Sequence, residues 1–208
     1  MTDHFALFAE SRRPWLDAEA LKAKFLQFTN AVHPDRFHNG PEREKFLAHQ
    51  RYLELNAAYT CLREPKDRLL HLLELELGTR PKEVQIVPPG MMELFLEVGQ
   101  LCRNVDAFLA GRAQATAPIL RVPLFERGRE WADKLVMVRE RINATRMELE
   151  TELRTLNPVW EQAPVPGHPE RANALALGRL EQVYRVLSYV FRWQAQIQER
   201  LVQLSLGL

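Results

Sequence analysis

The chain has 208 residues, 46% hydrophobic and 26% charged, with a net charge of +1, the balance of a folded water-soluble protein with room for one ordinary domain plus a smaller one, or for two small ones. So small a net charge supplies no basic field and excludes a general nucleic-acid binder. No apolar run approaches the roughly 18–20 residues of a membrane span, and Met1-Thr2-Asp3-His4 has neither the basic start nor the apolar core of a signal peptide, so a cytoplasmic protein with no membrane partner is expected.

Helical periodicity dominates from the first residues, and an all-α fold is expected. Phe5, Leu7 and Phe8 form a small apolar cluster suited to the base of a helical unit. Asp17 is placed to cap a helix whose inner face carries Leu21, Phe25, Phe28 and Val32 at spacings of four, three and four. Pro34 lacks an amide proton and forces His33 out of helical backbone, so this helix has to stop there. His33-Pro34-Asp35 is thereby set on a rigid, exposed turn between two helices. Phe37-His38-Asn39-Gly40 reads as a loop and Pro41 as the first position of the next helix, which offers Tyr52, Leu55, Ala58, Tyr59 and Leu62 on one face. Pro65 ends that helix and starts a shorter one carrying Leu69, Leu72, Leu73 and Leu77, with Gly78 as its stop.

Pro81, Pro88 and Pro89 then break the pattern. The expected organisation is a first domain over residues 1–78, a linker over 79–89 and a three-helix bundle over 90–208. The first bundle helix is expected over 90–110, ending at Gly111. The second carries Leu124, Gly128, Trp131, Leu135, Val138, Ile142, Thr145 and Leu149, a seam of alternating fours and threes. A loop rich in proline (Pro158, Pro164, Pro166, Pro169) precedes the third, which carries Leu180, Tyr184, Leu187, Phe191, Ile197, Leu201 and Leu204.

Few residues invite catalysis or ligation. His33 and Asp35 are two members of a possible triad, but no recognisable nucleophile turn accompanies them, so no catalytic residue is assigned and the chain is expected not to be an enzyme. His33, His38, His49 and His71 lack the two-histidine spacing of a zincin helix. Cys61 and Cys102 are expected to be core thiols, and neither a metal nor a cofactor is expected.

The order of these features resembles a J-domain, the part of DnaJ-type co-chaperones that docks on a DnaK-class ATPase. His4-Phe5-Ala6-Leu7-Phe8, Leu16-Asp17 and His33-Pro34-Asp35-Arg36-Phe37 resemble the opening of the HscB co-chaperones. Leu55-Asn56-Ala57-Ala58-Tyr59, Leu62, Pro65, Arg68 and Leu72-Leu73 continue the similarity to residue 77, and the remainder is similar to HscB in layout. The resemblance implies an N-terminal J-domain (a helical hairpin plus short helices) followed by a three-helix bundle. It also implies two partners: a DnaK/HscA-class ATPase chaperone whose hydrolysis is stimulated, and an IscU-like iron–sulfur scaffold that is delivered to it. Carried over by position, His33, Pro34, Asp35, Arg36 and Lys24 contact the chaperone, while Met91, Met92, Phe95 and Tyr189 contact the scaffold. The last four suit a bundle core equally well, and Lys24 suits a solvated helix face.

The chain departs from the family at Asn30, where a second basic residue is frequent, and at Val32, where an aromatic is usual. It also lacks the paired-cysteine zinc module of eukaryotic relatives and the Gly/Phe-rich and Cys-x-x-Cys segments of general DnaJ proteins. Two other readings remain: an adaptor whose bundle recruits a different client, and a helical hydrolase using His33 and Asp35.

Overall fold

A computed structural model describes residues 2–37, 40–81, 86–115, 119 and 121–206, the side chains of Pro34 and Arg121 apart. His38 and Asn39 of the expected loop, and residues 82–85 of the expected linker, lie outside the described residues. The regular elements are helices: α1 (His4–Leu7), α2 (Ala18–Ala31), a 3-10 turn (Pro34–Phe37), α3 (Glu42–Arg63), α4 (Pro65–Leu77), α5 (Met92–Gln114), α6 (Arg121–Gln162), α7 (Arg171–Ala174) and α8 (Leu177–Ser205). The all-α expectation holds for the described residues. No helix among them is long and apolar enough to cross a membrane.

Local chemistry sets many of the boundaries. Asp17 sits in extended backbone and accepts from the Ala20 N–H at 2.8 Å, opening α2. Pro41 precedes α3 as its cap, one position earlier than expected. Pro65 occupies the first turn of α4, where a missing N–H costs no hydrogen bond. Gly78 closes α4 in the left-handed region (φ 71°), its N–H donating to the Glu74 carbonyl at 3.0 Å.

Two expected breaks are absent, and tertiary anchorage explains both. α5 passes through Gly111 and ends at Gln114. A helical glycine costs about 1 kcal/mol, but Arg112, one residue on, donates to the Leu204 and Gln203 carbonyls at 3.1 and 2.8 Å. Those bonds satisfy carbonyls that the end of α8 leaves open. α6 likewise continues through Pro158, where the sequence predicts a loop. The proline removes one hydrogen bond, at a cost of about 3 kcal/mol, yet Asn157 and Trp160 beside it are buried. The Asn157 amide exchanges two hydrogen bonds with the Trp15 backbone, at 2.9 and 3.0 Å.

The chain divides into two compact units that are not sequential. Unit one holds Met1–Lys82 and Glu150–Tyr184; unit two holds Glu83–Leu149 and Arg185–Leu208. The first segment of unit one ends inside the expected linker, but the unit also takes residues that the sequence assigns to the bundle.

In unit one, Phe5, Phe8, Leu55, Leu62, Leu69, Leu72, Leu73, Leu153 and Leu180 are fully buried. Phe25 of α2 stacks on Tyr59 of α3 with ring centroids 4.2 Å apart. Arg68 is 3% exposed, and its guanidinium donates to the Pro14 and Leu62 carbonyls at 2.9 and 2.6 Å. Burial pulls its pKa down to about 10, still charged at neutral pH. Arg171 of α7 forms a buried fork with Glu76 of α4, both bonds at 2.8 Å. In unit two, Val98, Cys102 and Val105 of α5 form one core with Leu135, Val138 and Ile142 of α6 and with Val190, Trp193 and Ile197 of α8.

Candidate functional site

Unit one displays the His33-Pro34-Asp35 tripeptide where α2 hands over to α3. α2 ends at Ala31, Val32 caps it, and after His33 the residues Pro34–Phe37 wind into the 3-10 turn. The Arg36 N–H donates to the His33 carbonyl at 3.0 Å, closing the turn. The His33 ring stands edge-on to Tyr52 of α3, with centroids 5.8 Å apart, which fixes its direction. Its Nδ1 accepts from the Asp35 N–H at 3.4 Å and lies 3.5 Å from the Asp35 carboxylate. That carboxylate is 90% exposed. A held histidine therefore sits beside a solvated acid, on a hydrogen-bonded turn.

Arg36 is exposed and donates through Nη1 to the Asn30 carbonyl at 3.1 Å. The last turn of α2 contains no basic residue of its own, so Arg36 supplies the cation that a helix C-terminus favours. Lys24 is half-buried and turned to unit one's own backbone and charge: its amine pairs with Glu10 and reaches the Ala9 carbonyl at 3.4 Å. Beside the turn lies an apolar recess of about 270 Å³ lined by Val32, Phe37, Glu44, Leu47, Ala48 and Arg51. Phe46, Leu47 and Leu53 of α3 are exposed by more than half. Sequence reasoning placed Tyr52 on the inner face of its helix but not against His33, and it did not single out the recess, although Leu47 and Arg51, spaced by four on α3, were legible as one helix face.

Unit two divides the other four expected residues. Met91 (9% exposed) and Tyr189 (4%) belong to the core, so the core reading applies to them. Met92 (54%) and Phe95 (39%) face outward, joined by Leu96 (58%), which the sequence reading missed. The stripe Met91, Leu94, Val98, Cys102, Val105 takes the core side of α5 and turns residues 92, 95 and 96 out. That stripe was the available signal. Tyr189 still bears on the strip, because Phe95 stands edge-on to it with centroids 6.5 Å apart. Trp193 and Arg192 hold the tyrosine in turn, at 5.5 and 5.2 Å.

A third group was not expected at all. His4, Cys61 and His71, from three different helices of unit one, bring potential ligand atoms within 4.8 Å of one another.

Comparison with known proteins bears on these features. No protein-family model matches the chain. A 73-residue stretch is 41% identical to the co-chaperone protein HscB homolog of Aeromonas salmonicida (strain A449), spanning 35% of this chain and 42% of that protein. Among solved structures, chaperone HscB from Vibrio cholerae aligns with a TM-score of 0.63 at 19% identity, covering 98% of this chain and 99% of that one. Human co-chaperone protein HscB aligns at 0.59 and 20% identity, covering all of this chain and 84% of that one. In fold along its length, and in sequence over 73 residues, the chain is HscB-like.

Proposed function

We propose that the chain is a co-chaperone that docks on a DnaK/HscA-class ATPase through the His33–Asp35 turn and stimulates its ATP hydrolysis. The observation that carries this reading is the solvated Asp35 carboxylate beside a ring-clamped His33, on a turn closed by the Arg36 N–H on the His33 carbonyl. Preorganised charge on a rigid turn loses little conformational entropy on binding. Affinity for one conformation of the chaperone over the other is what biases it toward hydrolysis. The groups that hydrolyse ATP belong to the chaperone, so this chain acts as a non-enzyme without a cofactor in the reaction. Arg36 and the apolar recess extend the docking surface; Lys24, held by Glu10, adds charge chiefly after that pair opens. Asp35→Asn should abolish stimulation of the chaperone ATPase while leaving the circular dichroism spectrum unchanged. Full stimulation by that variant overturns the proposal.

The second half of the proposed role is delivery of an IscU-like iron–sulfur scaffold. Met92, Phe95 and Leu96 form an exposed apolar strip, and an unpaired strip of this kind suits a protein partner. Leu96→Ser should weaken scaffold binding about tenfold by calorimetry, with the melting temperature unchanged within about 2 °C. The rival reading is an adaptor for a different client. It is favoured by the burial of Met91 and Tyr189, two of the four positions the resemblance assigns to the scaffold. Recovery by the full chain of a client other than a cluster scaffold, lost on Leu96→Ser, would decide for it.

A further inference from the structure

We propose that Glu10 is a latch on the docking face of α2. It holds Lys24 in an internal ion pair, which an acidic surface of the chaperone has to displace before docking gains that charge. The inference rests on the docking role proposed for the His33–Asp35 turn and concerns the regulation of that same face. The Lys24 Nζ lies 2.5 Å from the Glu10 Oε1 and 3.4 Å from the Ala9 carbonyl, so two acceptors from one short segment take the amine. The Lys24 side chain is 35% exposed and that of Glu10 11%. The cation is within reach of a partner; the anion is not.

The backbone after α1 fixes both acceptors in place. The Ala9 N–H donates to the Ala6 carbonyl at 3.1 Å, and the Glu10 N–H to the Phe5 carbonyl at 3.0 Å. Ala9 lies in the left-handed region at φ 49°, the one non-glycine residue with a positive φ among the described residues. A Cβ disfavours that conformation, and such outliers persist where the surroundings over-determine them. Here the two amide bonds and the shared Lys24 amine do so.

Arg13 makes the latch reversible. Its Nη2 donates to the Glu10 Oε2 at 2.9 Å, and its Nη1 lies 3.6 Å from the Glu161 carboxylate. Lys24 is on Oε1, so each oxygen of the Glu10 carboxylate has its own cation. When Lys24 leaves, Glu10 keeps Arg13 and is not stranded as an unpaired charge in a largely buried place, the outcome that makes breaking such pairs costly. Lys24 thus exchanges one carboxylate for another at small net cost. A partner surface without clustered acid gains nothing from it, so the latch adds selectivity for an acidic docking face.

The test is the association rate of the full chain with a purified, ATP-bound DnaK/HscA-class chaperone. At about 0.05 M salt, Glu10→Gln should bind about two- to fivefold faster, and the gain should vanish by about 0.5 M. Arg13→Gln should act in the opposite direction, because Glu10 then has Lys24 as its remaining cation. In a Lys24→Met background neither change should move the rate. A Glu10→Gln rate equal to that of the unsubstituted chain at low salt, or a gain that persists with Lys24→Met, overturns the latch. Should Glu10→Gln fail to fold, Arg13→Gln decides, and a rate unchanged or raised by it overturns the latch. Full ATPase stimulation by Asp35→Asn overturns the docking reading and the latch with it. Loss of stimulation by Asp35→Asn together with an unmoved Glu10→Gln rate strikes the latch alone.

Discussion

The two compact units solve the same packing problem by different means. Unit two is held by apolar stripes read straight from helical periodicity, with Val98, Leu135, Ile142, Val190 and Ile197 closing on one another. Unit one has a comparable apolar core but also buried polar anchors between residues far apart in sequence, whereas the long-range polar contacts of unit two, such as Arg112 on the end of α8, start from side chains that are not buried. Asn157 serves the Trp15 backbone, Arg171 serves Glu76, and Arg68 serves the Pro14 carbonyl. Apolar stripes are tolerant of exchange among similar volumes. Buried polar anchors are all-or-none, because removing one partner strands the other out of water. The unit that displays the His33–Asp35 turn is therefore the one with the more exacting construction.

The largest expected effect comes from cutting the chain where the sequence places its linker. A fragment of residues 1–78 lacks Asn157, Trp160 and Arg171, so it should lose cooperative thermal unfolding, and a melt as sharp as that of the full chain would count against the discontinuous unit. Next in size is Arg171→Met, which leaves the Glu76 side chain at 3% exposure without its fork. It should cost about 3–5 kcal/mol in urea unfolding. The matching apolar exchange in unit two, Ile142→Val, should cost only about 1 kcal/mol. Equal costs at the two sites would erase the contrast drawn between the units.

Acid should also act on unit one. Burial lowers the His71 pKa from 6.5 to about 4, with His4 and Arg12 lowering it further and Asp3 opposing. Between those values the unfolded chain binds the proton and the folded one does not, so stability falls as pH drops from about 6.5 toward 4. The loss is on the order of 3 kcal/mol. His71→Gln should flatten the slope of stability against pH over that window. The smallest stability effect belongs to Asp35→Asn, within about 0.5 kcal/mol, because its carboxylate is solvated. The variant that barely moves stability is thus the one proposed to remove ATPase stimulation.

Much of the fold was legible because it depends on near neighbours. The Asp17 cap, the proline at the start of α4, the Gly78 stop and the seam through Leu135, Val138, Ile142 and Leu149 follow from a few residues of local context. The His33–Asp35 turn was legible for the same reason, since Pro34 acts on the residue beside it. Gly111 and Pro158 misled because each is a local breaker inside a helix held from outside, by Arg112 on the end of α8 and by Asn157 on Trp15.

At the apolar strip the sequence placed the region on α5 but mixed its two faces. The core stripe takes Met91 and leaves Met92 and Leu96 outside, a choice set by which face of α5 meets α6 and α8. The His4, Cys61 and His71 cluster was illegible for a plainer reason: residues separated by as many as 67 positions share no local pattern. By itself, then, the sequence determined the helices, their caps and the exposed turn, because hydrogen-bond geometry and periodicity act within a few residues. Only the tertiary structure decided that residues 150–184 complete unit one, which apolar side chains stay outside, and which histidines meet a thiol, because those outcomes depend on how distant segments share one buried volume.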